Sequence, residues 1–449
     1  MDETQKQLGI IGGGLAGIAA AETAAMRGCR AHLFERAGVL GGRSASLFEP
    51  QQQQWIDIGQ HIVLGCCTEI LALNQRLGLD SYFEHSHTIP LVNIKQQHGV
   101  LTASSFLPKR WQLLPAFLTM PFLPIRERFK TGRLLKKLDS EKLPDITIEE
   151  WFKQNNVSHN ARDAFWHPLI LGALSEVPEH AAAKAVQKVI REGFLEGRGN
   201  MTVYLPTVPL RSIYHDAAAK ALAHKGVSLH FFKRLRRLHW EKNEPDTLPA
   251  IKALEFSDGT FRRFDRYILA LPAFQLWKVL EASGLTSCAE QLGLGRFEPG
   301  AVTTVHLWLD RPLLPTNKRY CVLLGGIGQF LCMPNDTNNY HTVVISAAHR
   351  LLSDAEMTAT GGNDLANQVL KQIRATFGIP SLQILHCRTT TCFESIFSPN
   401  PAIYLHRPES QGVFANGTIA GDWTQTGYPA TLEGAVRSGI FSVCGKEDS

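Results

Sequence analysis

The chain opens on a short apolar run, Leu8, Ile10 and Ile11, broken at once by Gly12, Gly13 and Gly14. Ala19 to Met26 is a strong helix former that ends at Gly28, and "CRAHLFE" follows as a second apolar strand closing on Glu35. The pattern predicts strand, glycine turn, helix and strand within the first 35 residues. In "WIDIGQHIVLG", Ile56 and Ile58 alternate with Asp57, so a strand is expected to run into Gly59-Gln60-His61. Gln51 to Gln54 reads as a hairpin tip, and a helix over 68–77 stops at Gly78.

Residues 79–194 change character and read as long helical, proline-broken pieces. Within them, 109–138 holds an apolar stretch from Trp111 to Ile125 flanked by basic residues. Pro115, Pro121 and Pro124 rule out a membrane span. That leaves two readings: a helical cap over a substrate tunnel, or a surface that dips into an anionic membrane. A helix is expected around Leu210 to His224, and "VSLHFFKRLRRLHW" then alternates as a strand. "FDRYILALP" is a buried strand closed by Pro272, ahead of a helix with Trp277 and Leu280. From 297 to 395 the pattern is mainly β, interrupted by one helix whose Leu365, Val369, Ile373 and Phe377 share a face before Gly378. The tail "GTIAGDWTQTGYPATLEGAVRSG" repeats the opening theme: a short strand, Gly421-Asp422, then a helix with Pro429 in its first turn.

With 449 residues, the chain is long enough for two or three domains of roughly 150 residues. A net charge of +5 and the lack of a dense basic stripe interleaved with aromatics argue against nucleic acid as a partner. Nine cysteines form no CxxC pair and no zinc spacing, which points to reduced thiols in the cytoplasm and to no metal. The run Leu8 to Met26 lacks a basic leader and is broken by glycines, so it is neither signal peptide nor span. No GxSxG elbow or HExxH motif is present.

Gly12-x-Gly14-x-x-Gly17, with Leu15 and Ala16 between the last two glycines, follows a strand and opens a helix. The glycines allow the turn, the approach of a pyrophosphate and close helix packing, while the helix N-terminus attracts phosphate. Glu35, about 20 residues on, suits the ribose hydroxyls of a dinucleotide and disfavours a 2′-phosphate. Arg36 and a second permissive loop, Gly41-Gly42-Arg43, follow directly. This loop suits the far side of the pyrophosphate or a flavin ring, which a simple nicotinamide dehydrogenase would not need. The cofactor expected is FAD.

Glu35-Arg36 followed by Gly41-Gly42-Arg43 resembles the signature of the amine oxidase and phytoene desaturase superfamily of flavoproteins. Within it, residues 57–65, 165–185, 202–222 and 420–439 are most similar to the squalene-associated FAD-dependent desaturases, the hydroxysqualene dehydroxylases. One departure is Leu174-Ser175-Glu176, where that group implies Leu-Asn-Thr. The resemblance implies an α/β fold: a Rossmann-like FAD-binding domain of the GxGxxG type with an inserted α+β substrate domain containing an antiparallel sheet and a helical cap. The FAD-binding domain is expected over 1–78, 195–275 and 408–445, and the substrate domain over 79–194 and 276–407. It also implies that Gly59, Gln60 and His61 border the flavin and that Leu235 lies against the adenine. Gly421 and Asp422 then face the ribityl or pyrophosphate part, and the helix N-terminus at Leu432 faces the pyrimidine edge. Glu433 reads either as a cofactor contact or as a first-turn acid.

The activity implied is reductive removal of the hydroxyl of hydroxysqualene, an apolar isoprenoid alcohol, to give squalene in hopanoid biosynthesis. Protonation releases water from the allylic carbon, and hydride from reduced FAD quenches the cation. His61 is the candidate acid, with ring orientation as its alternative role; Asp57 is the weaker acid candidate. Two other readings stay open: a desaturase or amine oxidase working oxidatively, and a non-catalytic lipid carrier of the same fold. No second glycine fingerprint sits between a strand and a helix, "LGGIGQ" (324–329) lying in β-type sequence, so the external electron donor stays unknown. The location expected is cytoplasmic, with 109–138 as the part that would touch the inner face of the membrane.

Overall fold

A computed structural model describes residues 6–445, apart from 243, 245–246, 315–317, 335–338 and 359–362. Among the described residues, the opening strand Gln7–Ile11 sits at the centre of a five-stranded parallel sheet. Arg30–Phe34 and Ser228–His230 lie on one side of it, and Arg266–Leu269 and Gly417–Ile419 on the other. A parallel sheet covered on both faces reads as short continuous apolar runs, which is why Ile10, Leu33 and Ile268 line up across three strands. The strand from the chain's end therefore completes the sheet begun by its first residues.

The helix Leu15–Met26 is buried along nearly its whole length, because Ala19, Ala20, Ala21 and Ala24 leave room for neighbours on every side. The C-terminal helix Leu432–Cys444 packs on it backbone to backbone: a Cβ at Gly439 would lie 2.2 Å from Ala16 O. That helix begins later than the proline suggested. Thr431 is its N-cap, accepting the Gly434 N–H, and Pro429 lies in the preceding loop.

The second large sheet has seven strands, ordered Ile384–Phe397, Pro299–Leu309, Tyr340–Ile345, Phe330–Cys332, Tyr320–Leu324, Thr88–Asn93 and His98–Thr102. All neighbours are antiparallel except Tyr320–Leu324 with Thr88–Asn93. The helix Asn363–Phe377 buries Leu365, Val369 and Ile373 on this sheet, on the expected face.

Three expectations need correction. After the single 3-10 turn Asp80–Tyr82, residues 83–102 are not helical: they give Phe83–Ser86, paired with Val203–Pro206, and the two strands that extend the second sheet. Pro90 and Gly99 weaken their β signal, and Leu91 and Val92 are both buried, so no alternation shows. "VSLHFFKRLRRLHW" is two strands in two sheets, Ser228–His230 and Leu235–Glu241, separated where exposed Phe232 takes a positive φ of 57°. The β region also holds two further short helices, Ala348–Leu351 and Asp354–Thr358, besides the long one.

From residue 114 to 195, helices close around an apolar cluster containing Phe117, Trp151, Phe152, Phe165 and Trp166. Pro121 and Pro124 split the apolar stretch into Leu114–Thr119 and Ile125–Ser140. Two of the later helices carry π-helical turns, Arg162–Trp166 and Arg191–Leu195.

Candidate active site

The site is built where the strands of the parallel sheet end. Gly12 has φ 108°, and a Cβ there would meet Ala270 O at 2.2 Å, so the turn lies against the end of the neighbouring strand. A Cβ at Gly17 would lie 1.8 Å from Gly12 O, so only glycine lets the helix start this close to the turn. Gly41 N–H donates to Gly13 O at 2.8 Å, which brings the two glycine loops together. The helix Leu15–Met26 starts from Gly14 with no side-chain cap and no acid in its first turn, taking in Leu15, Ala16 and Gly17. Gly42, with φ 58°, packs directly on Gly14: a Cβ added at Gly42 would lie 3.0 Å from Gly14 Cα. An uncapped, glycine-walled helix N-terminus of this kind fits a pyrophosphate.

Glu35 is buried at the end of its strand. Its carboxylate accepts the Gly13 N–H at 2.7 Å and the Ala37 N–H at 2.8 Å. The Lys233 N–H donates to Glu35 O, and Leu235, two residues on, is buried in the cluster that holds Ile11 and Phe34. Arg36 is exposed and contributes to the positive field on Glu394.

Arg43 reaches to the other end of the chain. Its guanidinium donates to Asp422 Oδ1 at 2.7 Å and to Ser395 O at 2.8 Å. Burial alone would disfavour the charge, but Asp422 overcomes this and raises the pKa of Arg43 further. Gly421 and Asp422 are fixed in turn: Gly421 N–H donates to Ser438 Oγ at 2.8 Å, and Trp423 Nε1 donates to Leu271 O at 2.8 Å. Arg407 donates to Tyr428 O at 2.6 Å and to Asp422 O at 3.3 Å, so a buried cation holds both ends of the 422–428 loop. Leu432 follows as the first residue of the C-terminal helix.

The Gly59-Gln60-His61 loop faces the same region. His61 Nδ1 lies 2.7 Å from Gly59 O, to which it donates, so the ring's proton sits on Nδ1 and Nε2 is left as an acceptor. Burial pushes the imidazole pKa down; the Gly59 bond offsets this and the charge on Arg43 adds to it. A neutral ring with its donor committed is suited to orienting a partner and ill suited to giving up a proton. Gln60 Oε1 is buried with no hydrogen-bond partner among the described residues. Such an orphaned acceptor calls for a donor from a bound group, and the N–H edge of a flavin is one.

Asp57 is pushed up to about 6 by burial, but its oxygen already accepts Ser46 Oγ–H and Leu210 N–H. It caps the helical segment that starts at Leu210, which is a structural task. Glu433 does something its own helix does not reveal. It is fully buried and accepts the Glu69 and Ile70 N–H groups at 3.0–3.1 Å, while Arg437 pairs with it at 2.7 Å. It caps a different helix, Thr68–Arg76, from 364 residues away.

Three residues were not singled out from the sequence: Arg407, Ser438 and Ser395. Arg407, at 5% exposure, is the one arginine among the described residues that is buried. Neither serine nor arginine sits in a spacing that marks a loop clamp, and only the fold brings them to Asp422.

Residues 15–444 match the family model described as flavin containing amine oxidoreductase. Hydroxysqualene dehydroxylase of Zymomonas mobilis is 24% identical over 444 residues, covering 96% of each chain. The 15-cis-phytoene desaturase of Synechococcus elongatus is 22% identical over 450 residues, covering 96% of this chain and 94% of its own. An oxidoreductase from Methanosarcina mazei has the same fold, with a TM-score of 0.73, 15% identity, and coverage of 98% of this chain and 100% of its own. The chain belongs to the flavin-containing amine oxidoreductase family and is an FAD-dependent oxidoreductase.

Proposed function

We propose that the protein removes the hydroxyl of hydroxysqualene reductively to give squalene, acting on an apolar isoprenoid alcohol in hopanoid biosynthesis. Full-length similarity to hydroxysqualene dehydroxylases supports the substrate. The observation that carries the site reading is the buried, unpartnered Gln60 Oε1, on the loop after the strand Gln54–Asp57.

In this reading Gly12, Gly14, Leu15, Ala16 and Gly17 hold the pyrophosphate, Glu35 the adenosine ribose, and Leu235 the adenine. Arg36, Gly41, Gly42 and Arg43 form the second wall. Gly59, Gln60, His61, Gly421, Asp422 and Leu432 line the redox end. Residues 1–78, 195–275 and 408–445 form the FAD-binding domain, and 79–194 with 276–407 the substrate domain.

Reduced FAD, when bound, would supply as FADH2 both the hydride for carbon and the proton with which the hydroxyl leaves as water. Asp422 keeps Arg43 charged and aimed along the cofactor path. His61 offers Nε2 to a donor and holds its own proton on Nδ1 against Gly59 O, so it orients rather than protonates. The helical cap packs its apolar cluster, with Phe117, Phe165 and Trp166, on the second sheet through Leu91, Val322 and Leu324, and in this reading it shields the substrate from water. A substrate of this kind partitions into bilayers, which supports a protein that works from the cytoplasm against the inner face of the membrane.

The similarity to phytoene desaturase over the same length favours one second reading, oxidative desaturation. Anaerobic incubation with hydroxysqualene and chemically reduced FAD separates the two. Squalene formed in step with flavin oxidation is the expected result. No squalene, with conversion of phytoene by oxidised protein instead, overturns it.

A further inference from the structure

The helices Leu114–Thr119 and Ile125–Ser140 bury one side in the cap cluster through Phe117, Leu134, Leu135 and Leu138. An ordinary surface helix would be polar on the other side. Here the outer side is apolar as well. Phe106 is 95% exposed, Trp111 53%, Ile125 57% and Phe129 54%, with Leu118 at 38%. Ile125 and Phe129 are one turn apart on the same helix and share a face, while exposed Trp111 ends the short turn Lys109–Trp111 just before the helix that carries Leu118. Arg128 ties the two segments together, donating from Nε to Leu123 O at 2.7 Å and from its guanidinium to Leu118 O.

The charge around this surface is strongly one-sided. Residues 109–138 contain eight lysines and arginines and a single acid, a larger excess than the net +5 of the whole chain. The acid, Glu127, is turned inward to accept Ser158 Oγ–H at 2.7 Å. Arg126, Arg133 and Lys136 are exposed beside the apolar side chains. No helix among the described residues is long and apolar enough to cross a membrane, so the surface is suited to lying on one.

We infer that this face docks in the plane of an anionic phospholipid bilayer, with Phe106, Trp111, Leu118, Ile125 and Phe129 at acyl-chain depth and the basic side chains on the headgroups. Charge complementarity selects the occupant: a basic rim around an apolar patch fits phosphatidylglycerol-type headgroups over hydrocarbon. The inference deepens the apolar-substrate reading by naming the surface from which that substrate is drawn. Vesicle flotation detects no turnover, so each reading can fail alone.

The test is flotation of the flavin-loaded protein with phosphatidylglycerol–phosphatidylethanolamine vesicles and with phosphatidylcholine vesicles. The protein should float with the anionic vesicles and stay behind with the neutral ones. Arg133→Ala with Lys136→Ala should weaken binding roughly tenfold or more, and Ile125→Glu with Phe129→Glu should abolish it. Phe106→Ser, outside both helices, should weaken it even if the helical variant fails to fold. The inference is overturned by no flotation, by equal flotation on neutral vesicles, or by variants that bind like the parent. It is equally overturned by a dimer in solution that Ile125→Glu with Phe129→Glu disperses, which would assign the face to a second copy.

Discussion

At the scale of single residues, the Arg43–Asp422 pair links positions 379 apart and is the most direct sign that the chain's ends act together. Asp422→Ala leaves a half-buried guanidinium without its carboxylate, and FAD affinity should fall roughly tenfold, read by quenching of flavin fluorescence. Glu176 is, with Ser175, where the chain departs from the pattern that its resemblance implies, and it is fully buried. Burial alone would raise its pKa, but His349, Ser398 Oγ–H and its neighbour's Val177 N–H overcome that and hold it at about 2. Ala301 N–H donates to His349 Nδ1, which puts the ring proton on Nε2, facing the carboxylate at 3.5 Å. Because its folded pKa lies below its ordinary value of 4.5, its contribution is complete above that value and is lost as pH falls toward 2. Glu176→Gln should lower stability by about 2–3 kcal/mol at pH 7 and flatten the acid limb of a urea-denaturation series. The nucleotide residues were legible because a glycine turn and an acid at fixed spacing lie within 35 residues. The caps supplied by Glu433 and Asp57 were not, since nothing local marks a carboxylate whose partner N–H groups lie far along the chain.

At the scale of elements, the packing of the first helix on the last is what carries the second half of the site to the first. Gly439→Ala would place a methyl 2.2 Å from Ala16 O. It should destabilise the fold by about 1–3 kcal/mol and weaken FAD binding without touching the cofactor, read by thermal melting with and without FAD. Glu433→Ala removes the trans cap from the Thr68–Arg76 helix and leaves Arg437 unpaired, at a cost of about 2–4 kcal/mol. Elements with strong periodicity, such as Asn363–Phe377 with its four-residue face, were readable. The strands at 83–102 were not, because each has at most six residues and two of them, Phe83–Ser86 and Thr88–Asn93, take partners that arrive more than a hundred residues later. The division of "VSLHFFKRLRRLHW" between two sheets was hidden for the same reason. Its polar alternation suits either sheet, and only the left-handed residue Phe232 separates them.

At the scale of the whole molecule, a parallel sheet whose outer strand comes from residues 417–419 joins a seven-stranded sheet, and a helical cap closes over the second. The Gly59–His61 loop lies where these parts meet: Thr390 Oγ1, on the second sheet, donates to Ile58 O at 2.8 Å. The central claim is that this arrangement holds one FAD along its full length, nucleotide on the first forty residues and redox end on the last thirty. A crystal structure of the FAD-bound protein tests this most directly. The account predicts the ribose hydroxyls on Glu35, the pyrophosphate at the N-terminus of the Leu15–Met26 helix beside the touching Gly14 and Gly42, and a flavin N–H donating to Gln60 Oε1. A flavin ring remote from Gln60 and from residues 421–432 would contradict it.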